Sequence, residues 1–147
     1  MASLKDVQLD AMRSTDQPSQ MWVMRVRYTP LFSSAERHDQ TQPGNAKHHY
    51  RVKAALRDQH VNGFFLSPGA STGSPGHPAN LTIDDHDHPQ TLRFKVPAAD
   101  MITEALGDGA PIDRVDVLAH VEIFDLSVST QVAEGHKDSP GLDLYVI

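Results

Sequence analysis

Apolar residues recur at every second position along much of this chain, a spacing that writes strands rather than helices. In "MWVMRVRYTP" Trp22, Met24, Val26 and Tyr28 alternate with Val23, Arg25 and Arg27, as in a strand with one face on a core. "HHYRVKAALRD" sets Tyr50, Val52, Ala54 and Leu56 against His49, Arg51, Lys53 and Arg57. "TLRFKVP" repeats the pattern, with Leu92, Phe94 and Val96 inward and Arg93 and Lys95 outward.

"RVDVLAHVEIFDLSVST" is long enough for two strands, and its apolar parity changes partway. Val115, Val117, Val121 and Ile123 share one parity, then Phe124, Leu126 and Val128 take the other. A slip of one residue exchanges the faces of a strand, so a bulge or a change of sheet is expected near Ile123 to Asp125. "GLDLYVI" reads as a closing strand, "KDVQLDAM" as a weaker one and "VNGFFLSP" as a short one. A single helix is expected in "PAADMITEALGDG", where Met101, Ile102, Ala105 and Leu106 share a face and Gly107 and Gly109 end it.

The 147 residues fit one domain, at a size where a core forms without staples. The expected fold is all-β: a mostly antiparallel β-sandwich or jelly-roll-like barrel with one short α-helix. Stretches 32–47 and 67–90, rich in Gly, Pro, Ser and Asp, are expected to be long polar loops.

The chain has no cysteine, which excludes a disulfide, a thiolate metal site, an iron–sulfur cluster and a catalytic thiol. Its net charge of −6 argues against a general nucleic-acid binder, which needs concentrated Lys and Arg. "MASLKDVQLDAM" has no apolar run of the signal-peptide kind, and no uncharged apolar run approaches the roughly 20 residues of a spanning helix. A soluble, cytoplasmic-type protein without signal peptide or membrane segment is expected.

"TIDDHDHPQ" packs three aspartates and two histidines into Asp84 to His88. Extended, it would place His86 and His88 on one side, a pair that could bind Zn or Cu if His120, on the strand parity that also carries Glu122, came near. Otherwise it is an exposed acidic turn whose aspartates cap backbone N–H groups and which holds no cofactor. The glycines of "SPGASTGSPG" lack the Lys-Ser/Thr of a P-loop. No G-x-S-x-G is present, so nothing in the sequence assembles a catalytic set.

Arg25, Arg27, Arg51, Lys53, Arg93 and Lys95 all take the outward parity of their strands. If those strands share one sheet, they build a basic face on an acidic protein. The expected function is therefore a non-catalytic binding or self-assembly module, with a protein or another copy as partner. A His-x-His metal protein or metal-dependent enzyme is one alternative. A carbohydrate-binding sandwich, with Trp22 and the tyrosines as stacking platforms, is another.

Overall fold

The computed structural model describes residues 1–13, 21–41, 49–58, 77–97, 114–127 and 132–145. Its strands are β1 (Ser3–Arg13), β2 (Met21–Leu31), β3 (Tyr50–Asp58), β4 (His77–Leu81), β5 (Gln90–Pro97), β6 (Arg114–Asp125), β7 (Gly135–Asp138) and β8 (Leu142–Tyr145). A helix α1 (Ser34–Thr41) follows β2, and one 3-10 turn (Ile83–Asp85) separates β4 from β5. The first sheet has the order β1-β2-β5; the second runs β4-β3-β6, with β7 and β8 sharing the far side of β6. Every pairing is antiparallel, and the two sheets pack in a sandwich-like arrangement.

The alternating apolar residues meet between the sheets. Met24, Val26 and Val96 of the first face a second-sheet set of Val52, Ala54, Val117, Ala119, Val121 and Ile123, all fully buried. Each buried Val, Ile or Met side chain is worth roughly 1.5–3 kcal/mol of transfer free energy, and this interleaving is what holds the sheets together.

Three expectations are corrected. The stretch 32–47 contains α1, which starts at a reciprocal cap: Ser33 Oγ accepts the Glu36 N–H at 3.2 Å and Glu36 Oε1 accepts the Ser33 N–H at 3.0 Å. The stretch 67–90 contains β4 and the 3-10 turn; Pro78 is tolerated in β4 because it is an edge strand. The parity change in β6 is not a bulge, since its register with β3 runs unbroken from Val117 to Asp125. Phe124 instead lies buried on the outer face, with the Lys53 ammonium 5.6 Å from its ring centre.

The bulge is in β1. Between Lys5 and Gln8 the partners on β2 advance only from Thr29 to Arg27, and Asp6 takes a left-handed φ of 55°. The extra residue switches the inward parity from Ala2 and Leu4 to Val7 and Leu9, which is why "KDVQLDAM" alternates so poorly. The helix expected at 97–109 and the strand expected in "VNGFFLSP" lie outside the described residues.

β7 and β8 leave Leu118 and Ala119 between them: β7 covers His120 to Ile123 and β8 covers Arg114 to Val117. Ser139 closes the gap. Its N–H donates to the Ala119 carbonyl at 2.9 Å and its Oγ accepts the Ala119 N–H at 2.8 Å, while the hydroxyl donates to the Pro140 carbonyl at 3.0 Å. A side chain here does the work of a missing strand residue, because Pro140 has no N–H to offer.

Candidate functional site

The six basic residues divide between the two outer faces. β2 and β5 are neighbours, so Arg25, Arg27, Arg93 and Lys95 share the outside of the first sheet, with Arg25 directly opposite Arg93. β3 pairs with β4 and β6, which sends Arg51 and Lys53 to the outside of the second sheet, across the sandwich. One continuous face of six cations does not form.

On the first sheet Asp10 of β1 sits opposite Arg25. Its Oδ2 accepts from Arg25 Nη2 at 2.8 Å and from Arg27 Nη2 at 2.9 Å, and these two guanidiniums hold its carboxyl below the usual carboxylate range. Two cations on one carboxylate leave a positive balance. Arg93 and Lys95 are exposed and form no ion pair with any described residue. Beside them a shallow groove of about 160 Å³ is lined by Asp10, Ala11, Met12, Val23, Arg25 and Arg93. Met12 in its wall is 63% exposed, so the groove joins apolar surface to Arg93, a cation without an ion pair among the described residues.

On the second sheet a cavity of about 260 Å³ opens where β3 begins and β4 and β6 end. His49, Tyr50, Arg51, Asn80, Leu81, Thr82 and Leu126 line it. Arg51 lies opposite Asn80 on one side and Phe124 on the other. Its Nε–H is buried and has no hydrogen-bond partner.

Among the described residues His86, His88 and His120 do not form a group placed to hold a metal ion. Ile83 to Asp85 form a 3-10 turn rather than a strand, and Asp87 adopts a left-handed φ of 57°, so His86 and His88 lose the shared side that an extended chain would give them. Asp85 Oδ2 accepts the Thr82 N–H at 2.8 Å, and Asp87 N donates to the Pro30 carbonyl at 2.8 Å while its carboxylate pairs with Lys5. His86 Nδ1 accepts the Phe32 N–H at 2.9 Å. The stretch clamps the end of β2 to the bulge of β1.

His120 lies elsewhere, on the outer face of the second sheet. Its Nδ1 is 2.5 Å from Asp138 Oδ1, its Nε2 is 4.0 Å from Glu122 Oε1, and its ring centre is 5.7 Å from that of His136. Among the described residues no group of three His, Cys, Asp or Glu is placed to hold a metal ion. Strand parity puts His120 beside Glu122. The cross-strand partners His136 and Asp138 went unseen, because nothing local in the sequence says that β7 pairs with β6.

A further cluster went unread. Glu36 Oε2 accepts the Tyr50 hydroxyl at 2.6 Å and its Oε1 is 2.8 Å from the Met1 ammonium. Burial raises its carboxyl, but the ammonium, the Tyr50 hydroxyl and Ser33 outweigh it and hold it at about 2. Burial, and then the bond to Glu36, push the Tyr50 hydroxyl up. The "SSAE" capping pattern at Ser33 to Glu36 was the available signal. Trp22, Tyr28 and Tyr50 are at most 8% exposed, which removes them as stacking platforms for a sugar; the side chain of Tyr145 lies outside the described residues.

No family model and no curated protein matches the sequence. Similar solved structures include two crystal forms of a bacterial adhesin from Mobiluncus mulieris containing intramolecular disulfide, isopeptide and ester bond cross-links. They have TM-scores of 0.55 and 0.56 at 6% identity, covering 98% of this chain and 57% of that one. A protein from Archaeoglobus fulgidus aligns over 97% of this chain and 96% of its own at 7% identity, with a TM-score of 0.42. The chain thus spans little more than half of the adhesin, and at this identity the likeness is one of fold. Without cysteine it has no counterpart of the adhesin's disulfide. No described helix is long and apolar enough to cross a membrane.

Proposed function

We propose that this chain is a non-catalytic protein-binding module whose docking surface is the outside of the first sheet, and that the surface it takes is an acidic patch of another copy. The observation that carries the reading is the groove beside Arg25 and Arg93. It sets an exposed Met12 beside Arg93, which no described carboxylate neutralises, and beside Arg25, which shares the single Asp10 carboxylate with Arg27, on a chain whose net charge is −6. Opposite charges steer two copies together and fix their register, while the apolar part of the groove supplies contact area. Asp84 is an exposed acid on the same chain, so the complementary charge is present within one sequence. That a chain of similar fold serves as a bacterial adhesin is in keeping with a sandwich employed for attachment rather than for chemistry.

The test is sedimentation of the chain by itself at low (about 50 mM) and high (about 500 mM) salt, since screening shortens the reach of surface charge over this range. Association that weakens with salt and is lost in the Arg93→Glu, Lys95→Glu double variant supports the reading. Wild-type protein that is monomeric in low salt, or association untouched by the double variant, overturns it.

A further inference from the structure

We infer that the cavity at the end of the second sheet is an oxyanion site, built to hold one carboxylate or phosphate group on the Arg51 guanidinium. The first reason is an orphaned donor. Buried N–H groups are nearly always paired, yet the Nε–H of Arg51 is buried without a partner and no described side chain forms an ion pair with the guanidinium. Because that Nε–H has almost no accessible surface, the edge offered to a ligand in the cavity is the pair of Nη–H groups, a parallel fork whose spacing two oxygens of a carboxylate or phosphate match.

The second reason is the lining. Around Arg51 stand the Asn80 amide, the Thr82 hydroxyl and the His49 imidazole, each able to donate a hydrogen bond to an anion, with Leu81 and Leu126 as apolar wall. Among the described residues no carboxylate lines the cavity, although the sequence holds 19 acids to 13 bases. The nearby Asp85 is engaged with the Thr82 N–H and with Gln90 and stands outside the lining. Arg25 makes the contrast on the first sheet, where the guanidinium is already spent on Asp10. Apolar walls lower the local dielectric and strengthen a charge-assisted bond that bulk water would weaken. At about 260 Å³ the cavity is several times the roughly 30 Å³ share of one water, room enough for an anionic group with part of the molecule that carries it.

The site shares no residue with the docking groove of the first sheet, so each reading can fail without the other. The experiment follows the Arg51 Nε–H and Asn80 side-chain amide signals by NMR on the whole chain, during separate additions of sodium phosphate, sodium acetate and, at equal ionic strength, sodium chloride. A saturable shift of both signals with phosphate or acetate but not chloride is expected. The anion that saturates at the lower concentration tells a phosphate-bearing ligand from a carboxylate one. Arg51→Gln should weaken the Asn80 response at least tenfold. Asn80→Asp places a carboxylate opposite Arg51 in register, and it should occupy the guanidinium and abolish the Arg51 Nε–H response to added anion even if the first variant folds poorly. Shifts that chloride reproduces, an Asn80 response that survives Arg51→Gln, or an Arg51 Nε–H response that survives Asn80→Asp, overturn the assignment.

Discussion

Ser139→Ala isolates a place where a side chain completes the second sheet. The change removes two hydrogen bonds: the Oγ acceptor for the Ala119 N–H at 2.8 Å and the donor to the Pro140 carbonyl at 3.0 Å. They are unequal. Pro140 is exposed, so water replaces its lost donor at little cost. Ala119 is fully buried and Ser139 is 5% exposed, so the Ala119 N–H is left without a partner and bears the desolvation penalty of a stranded donor, about 1–3 kcal/mol. That amounts to a roughly five- to hundredfold fall in the folding equilibrium, and a melting temperature lower by about 2–4 °C for each kcal/mol. Urea denaturation with an unchanged slope gives the free energy, and amide hydrogen exchange at Ala119 locates it. Ser127→Ala is the control, because its hydroxyl bonds Asp125 at 2.6 Å from an exposed turn and should cost less. A loss below about 0.5 kcal/mol with Ala119 still fully protected would refute the idea that the hydroxyl acts as a strand residue.

Two further outcomes follow from the same physics. Glu36 is held at about 2 in the fold against an ordinary 4.5, so its contribution is complete above about pH 4.5 and is lost as pH falls toward 2; with solvent screening around its exposed ammonium partner, it is worth about 1–2 kcal/mol. Acid titration of stability should therefore be steeper over that window in the wild type than in Glu36→Gln, and equal slopes would sink the assignment. At Gly135 an added Cβ would stand 3.0 Å from the Ala2 carbonyl oxygen and 3.2 Å from Ser3 Cα. Both are backbone atoms that cannot swing aside, so Gly135→Ala should cost about 1–3 kcal/mol and lower exchange protection first at Leu4, the start of β1.

Much of the sandwich was legible because one buried face imposes alternation, and β2, β3 and β5 carry it cleanly. The β1 bulge hid itself in the same currency: one added residue put Leu4 and Val7 on the same face although they are three apart. Phe124 misled in the opposite sense, since an aromatic buried on an outer face looks like a change of phase. Partnership between strands was the deeper gap. Outward parity fixed which way Arg51 and Arg93 point relative to their own neighbours, but only pairing decides that β3 and β5 belong to different sheets. His86 shows the same limit, because its ring serves a backbone donor at Phe32, on an element far away in sequence. Side-chain-to-backbone bonds of that kind leave no periodic trace.

The division of the basic residues between opposite outer surfaces has a geometric consequence. Stacked sheets lie about 10 Å apart, and side chains on both outsides widen the separation further, so no single contacting group can reach Arg93 and Arg51 together. Occupying one surface leaves the other open. Were both surfaces to hold partners as proposed, the chain would be a connector, its successive units threaded in a line rather than closed into a pair, because the contact on one side would not repeat itself on the other. Two weak attachments on one connector also reinforce each other wherever their targets are held near together, through effective concentration rather than through any stronger bond.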